Sequence, residues 1–517
     1  MSPRARIAVA VVWLAFVARG AYYCAQMPLW EGLDEWAHFA AVEWFAAHGH
    51  MPARTDPISD AVVRSLELAP LPWSNNGWIA GAVNHDDFWR LPPAERARRQ
   101  SELARLTSPY RRPPELPPAV QRQYEGQQPP LYYALMALPL RLTRGWPIER
   151  QALLLRLLSL LAASAAIPLA WSLARRIAAA RAAAIPAAAF LAAMPAVVLF
   201  MAHVANDSLA FPLMTLALWA MLRPQPRWIL AGAALAAALL TKGYALVLVP
   251  VFLLAALRHR RMLASVALAA LLAGWWYAAT LASTGTLAGD QMAVASRAGA
   301  AAKLAAIPRV HWLRAADSAA VTHIWIGGWS FLEVRSWMYR VWEALALAAL
   351  AGLVMLGRRA DLRLTAAQGF FLLATGFFSL NAYVATGISA GVGWYALSLA
   401  AVETILLASG LTGLFGVRRG RLAMAACVLL AVAFDLYTVH FLLAPYYSGL
   451  IRHRANGSLE AYHWSGLPPV PALWPLYLAA NAALLWIAFR LPGLSGSSSR
   501  NPRAAPARRP PQRSPAH

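Results

Sequence analysis

Charge is scarce in this chain, and acid scarcer still. Lys, Arg, Asp and Glu make up 13% of its residues, against about 25% in a soluble protein. That shortage excludes an ordinary water-soluble globule. Of the charged residues 46 are basic and 23 acidic, so the position of each carboxylate is informative. Only two cysteines occur in 517 residues, Cys24 and Cys427, which excludes a disulfide framework and a cysteine-held metal. Walker loops, dinucleotide-binding fingerprints and Gly-x-Ser-x-Gly elbows are missing, so no nucleotide or serine-hydrolase site is visible. No internal repeat stands out, which argues against a transporter built from inverted halves.

What the chain has is apolar length. Hydrophobic residues make up 59%, and runs near the roughly 20 residues that cross a bilayer recur along it. The formal charge of +23 is not a nucleic-acid footprint, because the basic residues fall in short turns rather than on one soluble patch. The start, Met1 to Arg6 followed by an apolar stretch, has no convincing cleavage site after it. It reads as an uncleaved first span at about 7–24. A polar segment at about 25–128 follows. Further apolar runs lie at about 129–143, 151–173, 182–202, 207–222, 228–241, 244–257, 262–283, 341–357, 365–386, 391–416, 422–443 and 472–490.

Arginine clusters set the orientation. Arg175-Arg176 with Arg181, Arg223 with Arg227, Arg258 to Arg261, Arg358-Arg359 with Arg363, and Arg418-Arg419 with Arg421 mark one set of turns. The alternate turns near 203–207, 242–243 and 387–390 contain a single basic residue, Lys242. The positive-inside rule puts the arginine turns in the cytoplasm. Parity then leaves no room for 129–143 as a complete span. That run is short, starts with Pro129-Pro130 and contains Pro139, so it reads as a helix on the outer leaflet, with Tyr132 and Tyr133 at headgroup depth. The expected fold is an all-α integral membrane bundle of about 12 transmembrane helices plus one interfacial helix. Three external segments, at about 25–128, 284–340 and 444–471, would form a small non-cytoplasmic cap. The tail from 491 to 517 reads as disordered, basic and cytoplasmic, able to touch anionic lipid.

The polar residues at span ends are the candidate chemistry. Asp34 and His38 share a face if their segment is helical. Asp34 could act as a general base there, with Glu35 beside it and His38 orienting it or helping to hold a metal. A plain N-terminal helix cap is the alternative for Asp34. Glu125 and Gln128 sit against the stiff Pro129-Pro130, either as site residues or as a loop-to-membrane turn. Asn206-Asp207 starts an apolar run, as site residues or as a cap. Lys242 breaks the charge pattern and suits a lipid phosphate, or simply snorkels to headgroups. Arg156 lies near the outer end of its run, placed to pair with an acid of the first loop. Metal ligands could come from His38, His85, Asp86, Asp87, His203, His311 and His323, but no pair has a diagnostic spacing.

Together these residues resemble the GT-C superfamily of membrane glycosyltransferases, such as the protein O-mannosyltransferase and lipid A aminoarabinose transferase-like families. The matching stretches are Leu33-Asp34-Glu35-Trp36-Ala37-His38-Phe39, Glu125-Gly126-Gln127-Gln128-Pro129-Pro130-Leu131-Tyr132-Tyr133, Leu155-Arg156-Leu157-Leu158-Ser159, Asn206-Asp207 and Thr241-Lys242. They cover roughly residues 7–285, which the resemblance makes the principal module, followed by segments at 286–340 and 341–490. It implies transfer of a sugar from a polyprenyl-phosphate donor to a glycan, lipid or protein at the outer face of the cell membrane. It implies Asp34 as base with Glu35 beside it. His38, Glu125, Gln128, Asn206 and Asp207 would position sugar, acceptor or a divalent metal. Lys242 would hold the donor phosphate, with Arg314, Arg335 or Arg340 as candidates by location. Two departures are Leu33, where relatives often have Pro, and Val392-Gly393-Trp394-Tyr395, where they often carry an Arg. A flippase for lipid-linked glycans and a non-catalytic scaffold are the rival expectations. The flippase would need charges in mid-span, whereas the charges here lie near run ends.

Overall fold

In the computed structural model every apolar run forms a helix. The described residues are 3–75, 77, 79–113, 122–289, 291–296, 298–454, 458–464 and 470–490, and among them the regular structure is helical apart from isolated bridges. The tail expected to be disordered lies outside the described residues.

Six helices are long and apolar enough to cross a membrane: Pro3–Gln26, Ile148–Ala174, Arg261–Thr284, Ser336–Arg359, Leu362–Thr386 and Trp394–Tyr447. The last contains a reversal. Gly416 adopts φ 76°, ψ 170°, and a Cβ on Gly420 would lie 2.6 Å from Thr412 Cα. Two antiparallel legs therefore pack back to back, as the two runs at 391–416 and 422–443 require. A seventh crossing is broken: Arg181–Ala193 and Pro195–Met201 meet at 56°. Pro195 has no N–H to continue the ladder, which frees carbonyls in the preceding turn.

Twelve full-length crossings are not what the helix lengths show. Asp207–Met221, Trp228–Leu239 and Trp474–Arg490 have 15, 12 and 17 residues, and Gly243–Ala256 is similarly short. The reason is that turns and 3-10 segments consume the ends of runs that hydropathy counts as apolar. Leu131–Leu142, with 12 residues, is about 18 Å long, short of the roughly 30 Å hydrocarbon core. Its length matches the short helix that charge parity required. Tyr132 and Tyr133 are fully buried within the protein, so they do not anchor it at headgroup depth. Tyr132 bonds Ser159 at 2.8 Å and Tyr133 bonds His38 at 2.8 Å.

One hydrophobic core runs from Ala5 to Ala488, and the first helix packs against the last. Chain start and chain end thus close the same bundle. A second cluster gathers residues of the first polar segment, among them Trp30, Phe39, Val62 and Leu103, against Tyr132, Tyr133 and Leu155. That segment is a packed layer resting on the Leu131–Leu142 helix.

The spans also hold charge that run ends do not explain. Arg19 and Asp435 are both fully buried and pair at 2.9 Å. The Arg19 guanidinium also donates to the carbonyls of Ala192 and Ala193, the groups freed at the broken span. Tyr23 and Tyr477 donate to Asp435 at 2.6 and 2.5 Å. This interior pair corrects the expectation that charges sit only near span ends. Its contacts stitch four helices together.

Candidate functional site

The loop before the second helix is built on a tight contact. Gly32 lies so close to His203 that a Cβ would be 2.6 Å from the His203 Cβ. The backbone N–H of Val204 donates to Glu35 at 3.0 Å. These contacts clamp residues 32–35 onto the turn that leads into Asp207. Asp34 then takes the left-handed region, φ 53° and ψ 19°, at the N-terminus of Glu35–His48. A non-glycine residue held there is strained, and such strain collects at functional sites. Although Asp34 occupies the capping position, its side chain makes no capping bond. The plain cap alternative therefore fails.

Glu125 arrives on a turn closed by Gly126 N–H to Gln123 and Gln128 N–H to Glu125. Gly126 is required: a Cβ would meet the Pro52 carbonyl oxygen at 2.9 Å. Glu125 is buried, and its Oε2 has no hydrogen-bond partner among the described residues. Burial raises its carboxyl above the ordinary range, against the opposing pull of Lys242 and Gln128. Asp34 is pushed well up, first by burial, then by Glu125, with Lys242 opposing and Asp207 adding to the rise. Electrostatics thus couple Asp34, Glu125, Lys242 and Asp207.

Lys242 lies in the extended residue between Trp228–Leu239 and a short 3-10 turn. Its Nζ donates to Asn206 Oδ1 at 2.6 Å and Asp207 Oδ2 at 2.9 Å. It is buried, not snorkelling. Asn206 in turn donates to the Thr241 carbonyl at 2.9 Å and to Gln128 at 3.2 Å. Asp207 also accepts from the Tyr244 hydroxyl, which reaches Ser398 as well. Tyr244 and Tyr395 turn their rings toward the ammonium, 5.6 and 5.9 Å from Nζ. Asp207 is therefore an ion-pair partner, not a helix cap. Among the described residues two of the three ammonium donors are used, which leaves one for a ligand oxygen.

Two expected members point elsewhere. Glu35, next to Asp34 in sequence, is fully buried and accepts from Arg156 at 2.7 and 2.5 Å. Burial works to raise its pKa, but the guanidinium holds the carboxylate below the usual range. Its carboxylate is taken up by Arg156 and the Val204 N–H. His38 bonds Tyr133 rather than Asp34. Burial, with Lys242 and His203 nearby, pushes its imidazole well down, so it is neutral.

The three arginines proposed by location do not join Lys242. Arg314 is exposed on the Trp312–Ile324 helix. Arg335 lies over the Tyr462 ring at 4.4 Å, and Arg340 pairs with Asp317 and Glu343. Sequence separation alone could not tell these outer faces from the acid cluster. Conversely, Tyr244, Tyr395 and Ser398 were missed. Tyr395 belongs to the late Val392-to-Tyr395 stretch, and its place near Lys242 shows that this stretch reaches the site without an Arg. The signal was present in a polar aromatic two residues from Lys242.

Among the described residues no three His, Cys, Asp or Glu side chains gather as a metal site. Of the candidate histidines, His38 bonds Tyr133, His85 pairs with Glu31 at 3.0 Å and His323 with Glu403 at 3.1 Å. Beside Asp207 an ammonium already supplies the positive charge. The donor set does not fit a resident divalent ion.

Residues 18–416 match the model of a family described as predicted membrane protein, DUF2142. The chain belongs to the DUF2142 family. Asp34, Glu125, Asp207 and Lys242 of this DUF2142 protein all fall inside the matched region. No curated protein matches it. Among solved structures it is similar to ArnT from Cupriavidus metallidurans bound to undecaprenyl phosphate, at 15% identity and TM-score 0.39, over 94% of this chain and 76% of that one. The apo form of that ArnT matches at 16% identity and TM-score 0.36, over 88% and 76% of the two chains. The oligosaccharyltransferase AglB from Archaeoglobus fulgidus, in complex with an inhibitory peptide and a dolichol-phosphate, matches at 13% identity and TM-score 0.37, over 92% of this chain and 56% of that one.

Proposed function

We propose that this DUF2142 protein is a GT-C-type glycosyltransferase that moves a sugar from a polyprenyl-phosphate donor to an acceptor hydroxyl or amine. One observation carries the proposal. A strained, partly exposed carboxylate, Asp34, is coupled electrostatically to a buried ammonium, Lys242, that keeps a free donor. A base and a phosphate-binding cation are the two groups a single displacement at an anomeric carbon needs.

Asp34 takes the acceptor proton as the acceptor oxygen or nitrogen forms its bond to the anomeric carbon. The bond from that carbon to the phosphate oxygen breaks, and the electron pair leaves with the polyprenyl phosphate. Lys242 neutralises the departing charge. Asn206, Asp207 and Tyr244 hold the ammonium in place, and Glu125 raises the basicity of Asp34. One displacement inverts the anomeric configuration. The site lies on the non-cytoplasmic side of the inner membrane by the distribution of arginine turns, under the packed layer of residues 25–128. The helices that fall short of a full crossing would complete the bundle of twelve by tilting partners and thinned bilayer. The acceptor is a glycan, a lipid or a protein.

A flippase remains the second reading because Arg19 and Asp435 place charge inside the spans. Their contacts with helix carbonyls and tyrosines join four helices and mark them as a structural joint instead. The deciding experiment compares envelope glycans and lipid-linked sugars by mass spectrometry in cells lacking the protein, complemented with wild type or Asp34→Asn. Loss of one defined sugar, restored by wild type and not by the variant, supports transfer. Restoration by Asp34→Asn, or lipid-linked sugar accumulating on the inner leaflet, overturns it.

A further inference from the structure

A cavity lies apart from Asp34, Glu125 and Asp207. Its volume is about 630 Å³, within the roughly 300–1,000 Å³ of small-molecule sites. Its walls come from Arg181–Ala193, Trp312–Ile324, Ser336–Arg359, Leu362–Thr386 and the first leg of Trp394–Tyr447. Neither Asp34, Glu125, Asp207 nor Lys242 lines it. The lining is mostly apolar, and a polar cluster interrupts it. There His323 Nε2 lies 3.1 Å from Glu403 Oε2, and Gln368 Nε2 donates to Glu403 Oε1 at 2.8 Å. The Gln368 Oε1 acceptor is buried and has no hydrogen-bond partner among the described residues.

Polar atoms inside an apolar slot are costly unless a partner arrives. The histidine is already oriented by its second nitrogen, 3.1 Å from the Gly393 carbonyl. Gly393 has no room for a side chain: a Cβ would fall 1.9 Å from the Ala319 carbonyl oxygen. The cluster is therefore rigidly built. Its unmet group is an acceptor, so the missing partner is a donor. The donors of the cluster, His323 Nε2 and Gln368 Nε2, are already turned to Glu403, which disfavours an anionic head. The source of the ligand follows from the walls. Ser336–Arg359 and Leu362–Thr386 bury little of their surface, and Leu347, Leu350, Leu372 and Leu373 are more than half exposed. These helices face the hydrocarbon of the bilayer.

We infer that this cavity is a binding site for a membrane amphiphile whose chain fills the apolar slot and whose uncharged or cationic head donates a hydrogen bond to Gln368. Long-chain alcohols and long-chain amines share that chemistry. The site differs in kind from the one at Lys242, which suits an anion. The two are separated by the stretch 393–399, which lines the cavity with Gly393, Ala396 and Leu397 and sends Tyr395 and Ser398 to the Lys242 site.

The test uses the full chain in lipid nanodiscs and three photoreactive probes carrying a diazirine in the chain: hexadecanol, hexadecylamine and hexadecyl phosphate. Crosslinked peptides are read by mass spectrometry, a readout independent of sugar transfer. The expected result is labelling of peptides covering 312–324, 342–353 and 368–379 by the alcohol, the amine or both, and weakly by the phosphate. Which of the two labels identifies the head. Gln368→Leu lowers that labelling roughly tenfold, the weight of one buried hydrogen bond. The cavity-filling variant Ala346→Phe removes it. Equal or stronger labelling by hexadecyl phosphate, lost in Lys242→Met, would assign the slot to the chain of an anionic donor and overturn the inference. So would labelling by the alcohol and the amine that Gln368→Leu leaves unchanged.

Discussion

Arg156 grips Glu35 through both carboxylate oxygens, at 2.7 and 2.5 Å, from a position 121 residues later in the chain. Its remaining donors go to the carbonyls of Cys24, Met27 and Pro28. One guanidinium thus closes the end of the first helix and fixes the first turn of the second, with Asp34 between them. Leaving either charge buried and alone costs about 3–5 kcal/mol. Glu35→Gln and Arg156→Met are expected to lower the thermal stability of the purified protein sharply, in detergent and without substrate. A variant that kept full stability but lost transfer would place Glu35 in the chemistry after all.

Asp34 behaves differently: its side chain makes no capping bond, and its neighbours are charged groups. Burial and the negative charges of Glu125 and Asp207 raise its pKa, and Lys242 lowers it. As a base it works deprotonated, so transfer rises as pH climbs through that raised value. Glu125→Gln removes a negative neighbour and moves the rising limb to lower pH. Lys242→Met removes a positive one and moves the limb to higher pH, each by about one unit. A pH–rate profile of each variant checks the two opposite directions. Shifts of the same sign would remove Asp34 as the titrating group.

Tyr244 connects Asp207 to Ser398, and Asp207 is the carboxylate partner of Lys242. Tyr244→Phe keeps the ring over the ammonium and deletes the hydroxyl's bonds to Asp207 and Ser398, so transfer should fall about tenfold. Lys242→Met removes the phosphate-neutralising charge, with an expected loss of at least about a hundredfold in kcat/KM. Measured kinetics with a defined polyprenyl-phosphate sugar separate the two. Equal losses would mean that Tyr244 contacts substrate directly.

Arg314, Arg335 and Arg340 face the outside of the bundle. Arg340 is well exposed and its pairs with Asp317 and Glu343 are surface ion pairs, worth about 0–1 kcal/mol. Single Ala substitutions at the three are expected to leave kcat/KM within about twofold. A tenfold rise in donor KM for any one of them would bring that arginine to the phosphate.

The contrast between Asp34 and Glu35 shows how far sequence reading reaches. Both acids stand in one motif and look interchangeable. Tertiary contacts separate them: Arg156 grips Glu35, whereas Asp34 sits in left-handed backbone among the charges of Glu125, Lys242 and Asp207. Lys242 was legible because it broke a charge pattern, and charge pattern is a local property. Tyr395 and Ser398 were not, because 153 positions separate Tyr395 from Lys242 and a hydropathy profile carries no distance information. Arg19 stood in plain view inside an apolar run, and its meaning depended on carbonyls freed at Pro195 in another helix.

Composition and the spacing of apolar runs determined that this chain is a multi-helix membrane protein, because lipid accepts only segments that satisfy their own backbone hydrogen bonds. The same reasoning placed the scarce polar residues at helix ends. Which of those residues meet was decided by tertiary packing alone. Close contacts at Gly32 and Gly126 set the approach of two loops, and a buried ammonium gathered the carboxylates that a linear sequence leaves far apart.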